Sequence, residues 1–342
     1  MSKVTPTSKR KSEHIRINLE QDVESGITTG LEHFRFQHEA LPNINLDEVR
    51  TQTRLFGRTL SAPILISAMT GGTADAEQIN ANLAAAAQAS NIAMGVGSQR
   101  AAIDDPRQKK SFLIRKHAPD ILLFANLGAI QLNYGFDVAT CQRAVDMIEA
   151  DALNLHLNAL QEALQDEGDT QFRGLLSKIE QVCTELSVPV IAKEVGWGIS
   201  VDTTRRLMDA GIAAIDVAGA GGTSWSQVEM HRSTSEIRAA IAAGFIDWGT
   251  STSDAITRIH TEFPELPIIA SGGLRTGMDI AKCIALGAGL GGIAGPFLKA
   301  AVLSTQAVLD QINIIQQTLQ IAMFASGCSV LADLPAVIQR ID

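Results

Sequence analysis

Several polar side chains stand where an ordinary core would have apolar ones. Asn126, His156, Asn158, Lys193, Glu194 and Thr223 each end or follow a short apolar run of the 342-residue chain. Burying such groups is costly unless they pair or bind something. Their recurrence at equivalent positions points to one shared site. Glycines form a second set, in Ser271-Gly272-Gly273-Leu274-Arg275-Thr276-Gly277 and in Gly291-Gly292-Ile293-Ala294-Gly295-Pro296. Glycine lets backbone N–H groups come close to a phosphate, and a helix start favours negative charge. A third set is basic or polar: Arg10-Lys11 with His14, Arg100 closing Gly97-Ser98-Gln99-Arg100, and His156 with Asn158 on one face of an apolar run. If the glycine loops take one phosphate, this set suits the charged head of a second ligand. Arg10 and Lys11 also fit a solvated chain terminus.

The elements that must position these groups are eight apolar runs. They are Pro63–Met69, Ile92–Gly97, Leu122–Gly128, Ala152–Asn158, Pro189–Val195, Ala213–Gly219, Pro267–Gly273 and Gly291–Pro296. Continuous apolar runs suit strands buried on both faces, as in a parallel sheet. Helical patterns lie between them, at Ala74–Ser90, Asp137–Ala150, Phe172–Leu186, Thr203–Ala210 and Thr276–Leu286, the last two closed by Gly211 and Gly287. Eight such units fit a (β/α)8 TIM barrel in the α/β class, whose site lies at the C-terminal ends of its strands. A doubly wound sheet puts its glycine loop after the first strand; here the glycine loops follow the sixth, seventh and eighth. The chain is expected to be a single barrel domain, with an N-terminal arm over 1–60, the barrel over 61–300 and extra C-terminal helices over 301–342. Start-to-start spacings of the runs are 29, 30, 30, 37, 24, 54 and 24 residues. The long one holds Ala220–Thr252, and an insertion there is expected to cover the barrel mouth.

Composition removes several classes of function. Hydrophobic residues are 46% and charged residues 19%, an ordinary globular balance. The formal net charge is -9, a poor match to a nucleic-acid binder. No apolar run approaches the ~20 residues of a membrane span. The polar segment Met1–Arg16 has no signal-peptide core. Cys141, Cys183, Cys283 and Cys328 are 42, 100 and 45 residues apart, without metal or CxxC spacing, so reduced thiols in the cytoplasm are expected.

Taken in order, these stretches resemble the type 2 isopentenyl diphosphate isomerases, which use flavin mononucleotide (FMN). The resemblance rests on Arg10-Lys11-Ser12-Glu13-His14, Ser67-Ala68-Met69-Thr70-Gly71-Gly72, Gly95-Val96-Gly97-Ser98-Gln99-Arg100 and Ala125-Asn126-Leu127-Gly128. It continues through His156-Leu157-Asn158-Ala159-Leu160-Gln161-Glu162, Lys193-Glu194-Val195-Gly196, Gly221-Gly222-Thr223-Ser224-Trp225, Ser271-Gly272-Gly273-Leu274-Arg275 and Ala294-Gly295-Pro296. The basic pentad together with His-x-Asn-x-x-Gln-Glu is the specific part.

The resemblance implies interconversion of isopentenyl and dimethylallyl diphosphate at reduced FMN, with no net redox change. It implies Mg²⁺, NADPH as a source of reducing equivalents, a small-molecule diphosphate substrate, and a homotetramer or homo-octamer. It places Ala68, Met69 and Thr70 along the flavin, Ser98 and Asn126 at its polar edge, and Lys193 near the ring. Thr223, Gly273, Leu274, Arg275, Ala294 and Gly295 would hold the FMN phosphate end. Arg10, Lys11, His14, Ser98, Gln99, Arg100, His156 and Asn158 would hold the diphosphate. Gln161 would contact substrate, with Gln161, His156 and Lys193 as the catalytic candidates, and Glu162 would bind Mg²⁺. One carboxylate suffices for an ion that takes its other ligands from phosphate and water. The N-terminal arm and the 220–252 insertion are the expected lid.

Two positions depart from the resemblance: Ser251 stands where proline is frequent, and Ala218 where some members offer the flavin a hydroxyl. An FMN-dependent 2-hydroxy acid oxidase is the nearest rival. It needs a histidine before the glycine pair and tyrosines in the site, whereas Ala220 precedes Gly221-Gly222 and Tyr134 is the one tyrosine. A nucleotide dehydrogenase barrel would need a loop cysteine as nucleophile, and none of the four cysteines falls on such a loop.

Overall fold

Strand length and strand burial follow from the same alternation of side chains. In the computed structural model, which describes residues 6–72 and 74–341 and omits the side chains of residues 6–12, 74 and 75, eight parallel strands close into a barrel. We number them β1 (Ile64–Ile66), β2 (Ala93–Gly95), β3 (Leu123–Gly128), β4 (Ala152–His156), β5 (Val190–Lys193), β6 (Ala214–Asp216), β7 (Ile268–Ala270) and β8 (Leu290–Ile293). Each lies within one of the eight apolar runs, apart from Leu290. Period-two alternation sends Ile64, Ile66, Leu153 and Leu155 outward into the layer shared with the helices. Leu65, Phe124, Ala152, Ile191 and Ile269 point inward and fill the lower half of the barrel. Both faces are apolar there, which explains the unbroken hydrophobic runs.

The lower end is closed by a hairpin, Thr53–Leu55 with Arg58–Leu60. Leu60 is fully buried in the inner cluster, and Phe56 meets Phe124 edge-on at 6.4 Å. Further up the same strands the inward positions turn polar. Gly128 pairs with His156, His156 with Lys193, and Lys193 with Asp216 across β3 to β6. One register row therefore carries the histidine and lysine, with an aspartate behind the lysine.

Caps explain where the outer helices begin. Asp137, Ser200 and Thr276 each accept the N–H three residues on, opening Val138–Ile148, Val201–Asp209 and Gly277–Ala285. Ser251 caps Thr252–Glu262 in the same way, accepting from Asp254 N, so the missing proline is replaced by a hydrogen-bonded start. The C-terminal region departs from the all-helical expectation. After Gly295–Leu303 and Thr305–Ala325 the chain ends in a short strand, Ile338–Arg340, antiparallel to Phe34–Phe36. That pairing ties the segment that follows the arm helix to the segment that follows Thr305–Ala325, outside the barrel.

The N-terminal helix Pro6–Glu20 crosses to the insertion helix Trp225–Arg232, where Ile17, Val23 and Val228 make a small apolar cluster with Trp225 beside it. Ser25 N donates to Gly222 O and Ser224 N to Val23 O, so backbone bonds stitch the arm to the β6 loop. Arm and insertion meet over the barrel mouth.

Candidate active site

A cavity of ≈ 370 Å³ opens at the C-terminal ends of the strands, a size suited to a small-molecule site. Its lining includes Ala68, Met69 and Thr70 after β1, Ser98 and Arg100 after β2, and Asn126 on β3. His156, Asn158, Gln161 and Glu162 come from β4 and the helix Ala159–Leu164 that follows it. Lys193 comes from β5, and Thr223, Gly273, Leu274, Arg275, Ala294 and Gly295 from the last three loops. His14 and Trp225 cover the mouth. Residues scattered over some 280 positions of sequence thus meet around one space.

Gln99 is the exception, and the expectation that it holds the diphosphate is corrected. Its side chain is fully buried away from the cavity, where Nε2 donates to Ala144 O at 2.8 Å and Oε1 accepts from Asn126 N at 3.0 Å. A primary amide satisfies both donor and acceptor there, and turning it toward solvent would orphan those backbone groups. Arg10 and Lys11 lie outside the described residues as far as their side chains are concerned. Glu194 also turns from the cavity. Its Oε2 accepts the N–H groups of Val195, Gly196 and Trp197 at 2.7, 2.7 and 2.6 Å and shapes the β5 loop. Burial pushes this carboxyl up to about 7, while the three amides and the Lys193 charge pull the other way.

The polar groups hold one another in fixed orientations. Asn126 Nδ2 donates to Val96 O, which turns its Oδ1 toward His156 Nδ1 at 2.9 Å. His156 Nδ1 is then the donor, and the ring is fixed. Asn158 Nδ2 donates to Glu162 Oε1 at 2.8 Å and to Gln161 Oε1 at 3.2 Å. Gln161 Nε2 in turn donates to Glu229 Oε1 at 3.3 Å. Glu162 Oε2 accepts from Asp169 N at 2.7 Å.

Four cationic or titratable groups of the lining are each backed by a carboxylate outside it. Lys193 Nζ lies 3.7 Å from Asp216, which also accepts the Ser271 hydroxyl at 2.5 Å. Arg100 Nη1 lies 2.9 Å from Asp169, which accepts Gln131 Nε2 as well. His14 Nε2 lies 3.3 Å from Glu229, itself bound to Arg232 at 2.7 Å, and Arg275 pairs with Glu24. Burial would raise the Glu229 carboxyl, but His14 and Arg232 outweigh it and hold it below its ordinary value. Glu229, Asp216 and Asp169 were not singled out from sequence. Glu229 and Asp169 lie in an insertion and a loop, and nothing local marks them; Asp216 could have been found as a charge at the end of the sixth apolar run.

The glycines of the opposite wall are sterically required. A Cβ on Gly272 (φ +101°) would lie 2.0 Å from Gly219 O, and one on Gly273 (φ +79°) 2.4 Å from Gly221 O. A Cβ on Gly222 would lie 2.5 Å from Gly273 N, so the β6 and β7 loops touch backbone to backbone. Gly295 differs: open space surrounds it, at the start of the helix Gly295–Leu303. That is where a helix N-terminus faces the cavity.

The donor set fits a flavin phosphate and ring. Ser67 Oγ and Thr70 Oγ1 are buried beside the cavity without a hydrogen-bond partner, and Lys193 is the buried cation of its wall. For a divalent metal the fit is narrower. Among the described residues no three His, Cys, Asp or Glu side chains cluster as ligands, so Glu162 suits only an ion completed by substrate oxygens and water.

The fold and this site define a class. A family model described as FMN-dependent dehydrogenase matches residues 23–111 and 131–340. The solved structure of an oxidised active mutant of (S)-mandelate dehydrogenase superimposes with a TM-score of 0.70 at 16% identity, covering 97% of this chain and 96% of that one, a likeness of fold alone. The chain is 50% identical to an isopentenyl-diphosphate delta-isomerase of Nostoc sp., over 96% of this chain and 94% of that protein. It is 49% identical to one of Rickettsia bellii, over 95% of each. The chain belongs to the isopentenyl-diphosphate delta-isomerase family.

Proposed function

We propose that the chain interconverts isopentenyl and dimethylallyl diphosphate by proton addition and removal, with reduced FMN and Mg²⁺ bound and no net redox change. The observation that carries this reading is the Asn158–Gln161–Glu162 cluster facing Lys193 across one cavity, in which the rival's base and tyrosine have no counterpart. Ala220 is fully buried and has no proton to move, and the hydroxyl of Tyr134 accepts Gln171 N outside the lining.

Bound there, reduced FMN would supply an acid–base centre at its N5 region. Ala68, Met69 and Thr70 would carry its plane, Ser98 and Asn126 its polar edge, and Lys193 would face the charge that reduction builds. Thr223, Gly273, Leu274, Arg275, Ala294 and Gly295 would hold its phosphate end. Arg10, Lys11, His14, Ser98, Arg100, His156 and Asn158 would bind the diphosphate, and Glu162 would take the Mg²⁺. Gln161, fixed between Asn158 and Glu229, would orient a proton at the allyl carbons. His156, fixed by Asn126, would donate to the diphosphate. Arm and insertion would close over the mouth and exclude water from a cationic species. Hydrogen exchange unchanged in 13–24 and 220–252 on ligand binding would count against that lid.

NADPH would reduce the flavin. The four free cysteines fit a reducing compartment, and we place the protein in the cytoplasm as a single domain. No helix of the described residues is long and apolar enough to cross a membrane. The exposed Ile237, Ile241 and Trp248 of the insertion support self-association as a homotetramer or homo-octamer, which light scattering would measure.

The decisive experiment is anaerobic: isopentenyl diphosphate, FMN, Mg²⁺ and a reductant, with product and flavin spectrum followed together. Dimethylallyl diphosphate formed only with reduced flavin, still reduced at the end, is the expected result. Absence of product, with flavin reduced by a 2-hydroxy acid, would move the chain to the oxidases.

A further inference from the structure

One lining cation is held by a group that also touches the proposed metal carboxylate. Arg100 Nη1 lies 2.9 Å from Asp169 Oδ2, and Gln131 Nε2 donates to the same oxygen at 3.0 Å. The backbone N–H of Asp169 donates to Glu162 Oε2 at 2.7 Å. The loop that brings Asp169 there is pinned. A Cβ on Gly168 would lie 1.7 Å from Glu162 O, so the chain folds back tightly on the residue it serves. Gln165 O accepts from Arg238 Nη1 at 3.0 Å, and Asp166 pairs with Arg238 at 3.1 Å. The backbone is held in place, and the Asp169 carboxylate meets two side chains of the cavity lining, Arg100 and Gln131.

We propose that Asp169 makes diphosphate binding depend on the metal. The proposal rests on the reading that Arg100 and Glu162 serve a diphosphate and its cation. A diphosphate that takes the remaining N–H groups of Arg100 lies beside the Asp169 carboxylate and Glu162. Two negative groups against a multiply charged anion repel it. A divalent cation held by Glu162 would offset that repulsion by adding positive charge beside both carboxylates. Free diphosphate is thereby disfavoured, and the metal complex is selected. Asp169 is a specificity-determining group that acts through Arg100 and the ion, not through contact with the reacting carbons. Because the effect is a coupling between two ligands, it is reciprocal: pyrophosphate must tighten the metal by the same factor.

The test uses inorganic pyrophosphate as the probe, titrated calorimetrically into the FMN-loaded protein with chelator and again with Mg²⁺. The wild type should bind far more tightly with Mg²⁺ than without, and Arg100→Ala should weaken both; no binding by wild type under either condition would overturn the diphosphate reading itself. In Asp169→Asn, metal-free binding should tighten by about tenfold and the Mg²⁺ enhancement should shrink by a similar factor. Metal-free binding that weakens would show Asp169 to be a mere support for Arg100 and overturn the proposal. An unchanged Mg²⁺ enhancement would overturn it equally. Asp169→Ser, which removes the charge with a smaller side chain, must give the same direction, and near-ultraviolet circular dichroism checks that both variants keep the native fold.

Discussion

One wall of the cavity is made of backbone and the other of charged side chains. After β6 and β7 the loops present glycines whose neighbours leave no room for a Cβ, and after β8 Gly295 opens a helix. After β2 and β4 the wall is Arg100, His156, Asn158 and Glu162, each held by a polar partner. The backbone wall cannot change its charge, and where the β6 and β7 loops touch it cannot accept bulk. The side-chain wall answers to every change of charge. One suits a resident cofactor phosphate, the other a substrate that arrives and leaves with a cation.

The largest effect expected from breaking this contrast is Gly272→Ala. Positive φ and contact with Gly219 O should destabilise the protein by roughly 3 kcal/mol or more, with loss of bound flavin in thermal unfolding and absorbance. On the other wall, Glu162→Gln should keep FMN yet lose Mg²⁺ dependence and about 100-fold or more in turnover if, as proposed, it is the protein carboxylate that takes the ion. Normal turnover there would refute the metal assignment. Arg10→Ala or Arg100→Ala should raise the apparent KM for the diphosphate by roughly 10- to 100-fold, as expected for a lost charged hydrogen bond, and leave flavin affinity alone. Gly295→Ala sharpens the comparison from within the backbone wall: open space and an ordinary φ predict a stability change within about 0.5 kcal/mol, so any loss should be confined to FMN affinity.

The smallest effect concerns pH. Glu229 has its carboxyl held below the ordinary value of 4.5, with burial opposed and outweighed by His14 and Arg232. A lowered folded-state value stabilises fully above 4.5 and is lost as pH falls through it, since protonation then removes a charge that folding favours. Hydrogen exchange over residues 13–20 should therefore rise on acidification below 4.5 before the barrel strands respond. Parallel loss in both would show that the arm has no separate dependence on Glu229.

Much of this was legible beforehand because it is local. Continuous apolar runs marked all eight strands, and polar residues at their ends marked the cavity. The failures were of another kind. Gln99 stands beside Ser98 and Arg100, yet its amide is consumed by Ala144 and Asn126, a choice no local pattern reveals. Glu229 reaches Gln161 across 68 residues, and Asp169 reaches Arg100 across 69. The terminal strand pairs Ile338–Arg340 with Phe34–Phe36 at the far end of the chain.

The sequence by itself determined the barrel and the inventory of its mouth, because side-chain alternation and glycine sterics act over a few residues. Which groups face the cavity and which stand behind it was decided only by tertiary structure. Lys193, Arg100, His14 and Arg275 each take their direction from a carboxylate of another element. Such a pairing exists only once closure of the barrel brings the two strands, or the loop and the insertion, within a few ångströms of each other.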